Sequence, residues 1–516
     1  MDKVKKYLYV SFTLFFCFRG QGQQIEIDSE LIKLTPFIQA LYSFSNNIPQ
    51  EKIYLHFDNT SYYQGDHIWF KCYITSSQNE LRSLSKTLYV ELLNPGGEVI
   101  DKRILKIENG QCHGDFALNQ LTFYSGFYEV RAYTKYMLNF GDDIVFSRLL
   151  PVFNKPKTEG NFEEKEMVSY GRWGAEGING AYPMKRERPE KGKAVNVRFF
   201  PEGGNMIQGV ASRIAFEATD AAGNPIDVIG VVINNAKQEI CQFTTFHEGR
   251  GVFTYTSDDN TKKALAVVES SGKQYQFELP ASLPKGVMMA TDNLTYPDSI
   301  EITIRKNNDT PICMYGIAIL QGGKLQHYCA VPVESNDISF KIDKTQLHPG
   351  VSQIVLFDGT GQILCDRLVF IYKYDPLNIQ IKTDKPVYKP NELINMDIAI
   401  SDREANAVQT TFSLSVRDGE NEVESKHNIL TDLLLMSEIK GYVRNPSFYF
   451  ENNNEETKYA LDLLLMVQGW RRYSWKQIAG VEPFKLKYLP EQGIETNGNV
   501  FSYTFLRKLI QKPNVE

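Results

Sequence analysis

Beyond residue 50 the apolar positions recur mostly at every second residue. Ile68, Phe70 and Cys72 alternate with polar neighbours, which predicts a strand with one buried face. Strand-like stretches of this kind follow one another every 8 to 12 residues or so, separated by Gly and Asx turns, and that spacing predicts β-sandwiches. Three stretches break the period. Leu31, Leu34, Ile38, Leu41 and Tyr42 are spaced helically, so residues 23–49 are expected to form a leading helical segment. Asn428 to Ile439 carries Leu433, Leu434, Leu435 and Met436 behind Thr431-Asp432. Thr457 to Gln468 is a second helical run that Gly469 stops.

Repeats organise the rest. Asp, then Asn or Lys, two residues, then Tyr occurs at Asp58–Tyr62, Asp292–Tyr296 and Asp384–Tyr388. IYLHFDNTSYYQGDHIWFKCYI, from Ile53, aligns without gaps to IQIKTDKPVYKPNELINMDIAI, from Ile379. A second element is an Asp/Asn-x-x-Gly turn between two strands, at Asn94–Gly97, Asp220–Gly223 and Asp358–Gly361. There the Asx residue caps the turn and Gly takes positive φ. Units of about 90 to 110 residues follow from this spacing. The expected division is a signal peptide over 1–22, the helical segment 23–49, sandwiches over 50–155, 193–281 and 285–373, and a sandwich with a helical insertion over 374–480. Residues 156–192 form a linker, and 493–516 begin a further domain. Thr410–Asp418 is expected to be a strand of the 374–480 unit, and Glu495–Tyr503 the first strand of the last. LRKLIQKPNVE does not continue a strand pattern, which suggests a reading frame cut short.

Lys3, Lys5 and Lys6 precede the apolar run Tyr7–Phe18, too short to span a bilayer. Small residues at Gly20 and Gly22 place cleavage before Gln23. A lipid-anchored alternative would use Cys17, but Phe15 and Phe16 stand where small residues are needed. Export is therefore expected, to the periplasm or the outer membrane, with at most peripheral attachment. The formal net charge of −6 and the lack of a long basic run argue against a nucleic-acid partner. Cys72, Cys112, Cys241, Cys313, Cys329 and Cys365 contain no C-x-x-C pair, which excludes zinc-ribbon and thioredoxin-type sites. Buried free thiols and individual disulfides both remain open.

The chemistry is sparse. The seven histidines form no H-E-x-x-H, and there is no G-x-S-x-G, Walker A loop, G-x-G-x-x-G or EF-hand loop. No catalytic residue, cofactor or metal is expected. His56 and Asp58 share a strand face with Tyr54, either as an oriented base or as a satisfied polar pair. Trp470, Arg471, Arg472, Tyr473 and Trp475 form the one candidate partner-binding cluster, since aromatic and arginine residues dominate interface hot spots. The alternative is that the indoles pack beneath a helix end while the arginines cap it.

EKIYLHFDNTSYYQGDHIWFKCYI, LYVELLNPGGEVIDKRI, NGQCHGDFAL and SGFYEVRAYTKYM together resemble the second macroglobulin domain of alpha-2-macroglobulin-like proteins, and DKPVYKPNE resembles the opening strand of that domain family. VRFFPEGGNMIQGVASRIAFEATDAAGNPIDVIG resembles a macroglobulin-like domain of large exported proteins of Bacteroidetes-type bacteria. LTDLLLMSEIKGYV, YALDLLLMVQGWRRYSW and GIETNGNVFS resemble the junction, in those proteins, with a carboxypeptidase-regulatory-like domain that precedes a TonB-dependent receptor plug. The resemblance implies a mainly β fold of tandem macroglobulin-like antiparallel sandwiches with a few helices near the C-terminus. It implies a noncatalytic envelope scaffold that binds a protein partner, a receptor barrel or a protease. Covalent protease traps of that family carry a C-x-E-Q thioester; Pro490-Glu491-Gln492-Gly493 has no such cysteine. The alternative function is therefore an endopeptidase inhibitor without the thioester, with 155–192 as its one segment open to cleavage. An exported hydrolase would need a catalytic domain, and no stretch of about 150 residues lacks sandwich signals.

Overall fold

The computed structural model describes residues 21–119, 124–158, 162–167, 195–234, 236–257, 264–270, 272–373, 376–389, 391–419, 423–469 and 474–494. They form two compact bodies, one within 51–183, 412–425 and 485–516, the other within 1–50, 184–411 and 426–484. The fold is mainly β, in small antiparallel sheets, with helices at the leading segment and toward the C-terminus.

The first body carries β1 (Glu51–Phe57), β2 (Tyr62–Tyr63), β3 (His67–Ser76), β4 (Thr87–Leu93), β5 (Val99–Lys106), β6 (Gln111–Ala117), β7 (Gly126–Tyr133) and β8 (Phe146–Phe153). One sheet has the order β1-β3-β6 and the other β2-β8-β7-β4-β5. The period-2 pattern is realised directly: Ile68, Phe70, Cys72 and Ile74 of β3 are all buried, while His67 and Trp69 face out. Polar groups tie the loops down. The buried Glu51 carboxylate accepts from Leu84 N, Ser85 N, Ser85 Oγ and Thr134 Oγ1 at 2.6–2.9 Å. The segment after Lys485 returns to this body, where Glu491 accepts from Tyr89 Oη at 2.9 Å and Lys135 Nζ at 2.6 Å. Of the linker, Phe162 and Glu166 also fold back: Tyr63 Oη donates to Phe162 O and Asn154 N to Glu166 O.

The second body opens with α1 (Gln21–Asn47), on which Leu34, Ile38, Leu41 and Phe44 are buried. The predicted helix is present, but its inward stripe runs through Phe44, and Tyr42 is exposed. Residues 1–20, which hold most of the leader reading, lie outside the described residues. The next sandwich has β9 (Val195–Pro201), β10 (Met206–Ile207), β11 (Ala211–Asp220), β12 (Ile229–Ile233), β13 (Glu239–Thr244), β14 (Arg250–Thr256), β15 (Leu265–Ser270), β16 (Lys273–Glu278) and β17 (Ser282–Leu283). Its sheets β14-β11-β9 and β13-β12-β15-β16 enclose Phe216, Phe243 and Phe253. Gly230 makes room for one ring, since a Cβ there would lie 2.3 Å from Phe243.

A third sandwich follows: β18 (Val287–Asp292), β19 (Ser299–Lys306), β20 (Cys313–Gln321), β21 (Lys324–Val333), β22 (Asp337–Asp343), β23 (Gly350–Phe357) and β24 (Ile363–Ile371). Sheet β18-β19-β22 faces one side of β21-β20-β23-β24. The other side of that larger sheet is covered too. Val351, Leu368 and Phe370 pack on Leu434, Leu435, Leu461, Leu464 and Leu465. Phe37 of α1 meets Phe357 edge-on, and Ser45 Oγ accepts from Leu325 N at 3.0 Å. Burial on both faces accounts for the near-continuous apolar runs of β20 and β23.

The 374–480 segment, expected as a sandwich with a helical insertion, has among its described residues one strand pair and the helices. β25 (Asn378–Thr383) and β26 (Met396–Ser401) pair only with each other among the described residues. Thr410–Asp418 carries no assigned strand. The chain then forms a π-helical turn at Thr431–Met436 and α2 (Phe448–Glu451), α3 (Glu455–Val467) and α4 (Trp475–Ile478). The leucine runs read as helical in the sequence are helical here, and they lie on the free face of the β21-β20-β23-β24 sheet. No helix among the described residues is long and apolar enough to cross a membrane.

Candidate interaction surface

The gapless repeat is a structural repeat in the same register. Ile53↔Ile74, Leu55↔Cys72 and Phe57↔Phe70 in the first copy correspond to Ile379↔Ile400, Ile381↔Ile398 and Thr383↔Met396 in the second. The turn chemistry is duplicated as well. Tyr62 Oη donates to Asp58 Oδ1 at 2.7 Å, and Tyr388 Oη donates to Asp384 Oδ1. Asp58 N–H donates to Trp69 O and Asp384 N–H to Asn395 O, both at 3.1 Å. Tyr63 N donates to Asp66 Oδ2 and Lys389 N to Glu392 Oε2. The correspondence continues past the hairpin: Thr75 bridges Leu81 as Ser401 bridges Ala407, and Asn79 and Ala405 both have φ 66°. In these two copies the Asp and Tyr of the motif thus do one local job, in which the carboxylate anchors the corner between two strands, whereas Asp292 accepts from Leu294 N and Thr295 N. In the second copy the bonds to Tyr388 and Asn395 hold the Asp384 carboxyl below its usual range.

The two copies differ in what covers them. In the first, Ile53 is 6% exposed and Leu55 1%. In the second, their equivalents Ile379 and Ile381 are 57% and 52% exposed. The first copy also carries a third strand, β6, against β3, whereas β26 has no strand on its outer side among the described residues. An apolar strand face whose outer edge is paired only at its end, where Ser401 bridges Ala407 and Val408 N donates to Ile400 O, is suited to strand addition by an extended polypeptide along the rest of β26.

The other candidate sites resolve differently. Trp470, Arg471, Arg472 and Tyr473 lie outside the described residues. Trp475 is buried, packs against Phe357 at 5.0 Å between ring centroids, and donates from Nε1 to Gly361 O at 2.8 Å. Its indole serves the packing role, so it is not an exposed anchor. His56 Nδ1 lies 2.6 Å from Ser413 Oγ, which also accepts from Tyr73 Oη at 2.9 Å. Asp58 bonds to Tyr62 and Trp69 N, so it does not orient His56. Burial, and then the charge of Arg417, hold the His56 pKa below its usual 6.5 against the opposing pull of Asp58. Among the described residues no three His, Cys, Asp or Glu side chains are grouped to hold a metal.

Sequence reasoning missed a buried ion cluster in the second body. Arg367 Nε meets Glu202 Oε1 at 3.1 Å, and Arg367 Nη2 meets Asp462 Oδ1 at 2.6 Å. Arg213 reaches Glu202 at 3.2 Å and Asp462 at 3.8 Å, while Thr291 N and Oγ1 also donate to Glu202. The cluster joins β11, β24, α3 and the turn after β9. The signal available in sequence was a lone Asp462 inside the run Leu461–Leu465.

No known protein-family description matches the chain, and no curated protein matches it. Solved structures with partial likeness include alpha-2-macroglobulin of Escherichia coli activated by porcine elastase, at 11% identity and TM-score 0.23, over 68% of this chain and 33% of that one. Salmonella alpha-2-macroglobulin reacted with methylamine matches at 11% identity and TM-score 0.18, over 68% and 25%. The Escherichia coli adhesin FdeC matches at 11% and 0.16, over 62% and 96%. The chain therefore spans about a third or less of the macroglobulins it matches. At these TM-scores the superpositions carry no argument, and the fold rests on the sheets themselves.

Proposed function

We propose that the chain is a noncatalytic binding and scaffold protein of the cell envelope, built from macroglobulin-like sandwiches and exported by its leading segment. A link to a TonB-dependent outer-membrane receptor belongs to the same proposal and rests on the sequence resemblance alone. The observation that carries the binding role is the second copy of the repeat, which keeps the hairpin, corner and register of the first but leaves its apolar face bare. Its occupant is a partner's extended segment with apolar residues at alternate positions, adding to β26 as β6 adds to β3.

A peptide with the sequence of residues 111–118, Cys112 replaced by Ser, is the probe. It is expected to slow hydrogen exchange in Met396–Ser401 of the full chain, and Ile381→Lys is expected to abolish the protection. Unchanged exchange in β26 at saturating peptide would refute the augmentation role. The inhibitor alternative is separated by incubation with elastase. A scaffold is cut into fragments and leaves the protease active on protein substrates. A trap is cut once, compacts, and retains the protease.

A further inference from the structure

Cys72 in β3 and Cys112 in β6 stand directly opposite one another in an antiparallel ladder. Both are buried, in a row that also holds Phe70, Ile74 and Phe116. Along the same ladder Ile74 N–H donates to Gly110 O at 2.8 Å and Leu118 N–H to Asp66 O at 2.7 Å. By the alternation of antiparallel pairing, Cys72–Cys112 is then a hydrogen-bonded pair, with Cα atoms about 5.5 Å apart. Disulfides span Cα separations of about 4.4 to 6.8 Å. Burial first, then the neighbouring Cys112 thiol, push the Cys72 thiol well up. The other four described cysteines, Cys241, Cys313, Cys329 and Cys365, face Val232, Val333, Ile317 and Leu356 across their ladders, so among the described residues this is the one cysteine pair in register.

We infer that Cys72 and Cys112 are a disulfide-forming pair, which closes into a cross-strand bridge when the chain meets a disulfide donor. Cys112 lies on the outer strand of its sheet, so it is the attacking group. As the thiolate it attacks one sulfur of the donor, forming a mixed disulfide and expelling one donor thiolate. Cys72, deprotonated in turn, attacks the Cys112 sulfur and expels the second donor thiolate. The two protons lost by the cysteines end on the two donor sulfurs, and the two electrons reduce the donor's S–S bond. The product pins the edge strand β6 to the centre of its sheet and closes the loop that contains β4 and β5. The inference goes beyond the binding role and does not depend on it.

The test uses the full chain, reduced and then exposed to glutathione disulfide, once as the native protein and once during refolding from urea. Intact mass is expected to fall by two hydrogens, with a peptide map joining Cys72 to Cys112. The thermal midpoint is expected to rise by several degrees and revert with dithiothreitol. Cys112→Ser should abolish the linkage while Cys241→Ser leaves it intact. Two free or separately glutathionylated thiols at 72 and 112 in both arms, or a bridge between other cysteines, would overturn the inference.

Discussion

The buried cluster around Arg367 allows a quantitative test of what holds the second body together. Its charges balance: Arg367 and Arg213 against Glu202 and Asp462. Arg367 and Glu202 are 2% and 0% exposed, and Asp462 9%. The two carboxylates beside Arg367 outweigh its burial and hold its pKa above the usual guanidinium range. Asp462→Asn keeps the shape of the side chain and removes one negative charge, so Arg367 and Arg213 then share Glu202 alone. Stripping one partner from a buried pair costs about 3 to 5 kcal/mol. Arg213 is partly exposed and can turn to water, which places the expected loss near the lower figure, about 3 kcal/mol. For a body that spans about 340 residues that corresponds to a drop of roughly 4 °C in Tm. The double variant Arg367→Met with Asp462→Leu removes one charge of each sign and leaves Glu202 with Arg213 and Thr291. It is expected to be more stable than Asp462→Asn, because an apolar replacement carries no uncompensated charge. Urea and thermal unfolding of the native chain, Arg367→Met, Asp462→Leu and their double variant, read as a double-mutant cycle, give the coupling energy. A loss below about 1 kcal/mol for Asp462→Asn, or a double variant as poor as the sum of the singles, would refute the account.

Three further outcomes are expected. Ala405 occupies the left-handed conformation that Asn79 holds in the first copy, so Ala405→Asn should stabilise the turn that follows β26, Asp402–Asn406, by about 1 kcal/mol. Slower hydrogen exchange there is the readout, and unchanged exchange counts against it. Trp475→Phe leaves the Gly361 carbonyl without its indole donor and should cost about 1 to 3 kcal/mol in unfolding experiments, while Trp475→Ala should cost about 3 to 5. Burial holds the His327 pKa below 6.5, so the unfolded chain binds its proton first as the pH falls. Stability should therefore decline as pH drops below 6.5, and His327→Phe should flatten that slope; an unchanged slope would show that the group is not responsible.

Much of the fold was legible because strand faces and turns are local. Ile68, Phe70 and Cys72 alternate in sequence and share a buried face in β3. The three Asp/Asn-x-x-Gly turns close with 2.9–3.0 Å bonds from the Gly N–H, and Gly97, Gly223 and Gly361 all have positive φ. What period alone could not show was which faces find a partner. The alternation in Thr410–Asp418 is as regular as that of any paired strand, yet Phe412, Leu414 and Val416 are exposed. The long-range charge cluster was equally hidden, because Glu202, Arg367 and Asp462 are far apart in sequence and each reads as an ordinary polar residue.

The gapless repeat makes this contrast informative. Both copies spend the same residues on the corner, Asp58 and Tyr62 in one and Asp384 and Tyr388 in the other, and both hold the same hairpin register. Local sequence therefore suffices to form the hairpin in either setting. Closure of a sandwich needs a second sheet, which β2, β4, β5, β7 and β8 supply to the first copy. After the second copy the chain instead commits Leu434, Leu435, Leu461, Leu464 and Leu465 to the outer face of the β21-β20-β23-β24 sheet, where they are buried. Those leucines cannot serve both surfaces. The bare face of Ile379 and Ile381 follows from that choice, and any strand that covers it must come from outside the segment that forms the helices.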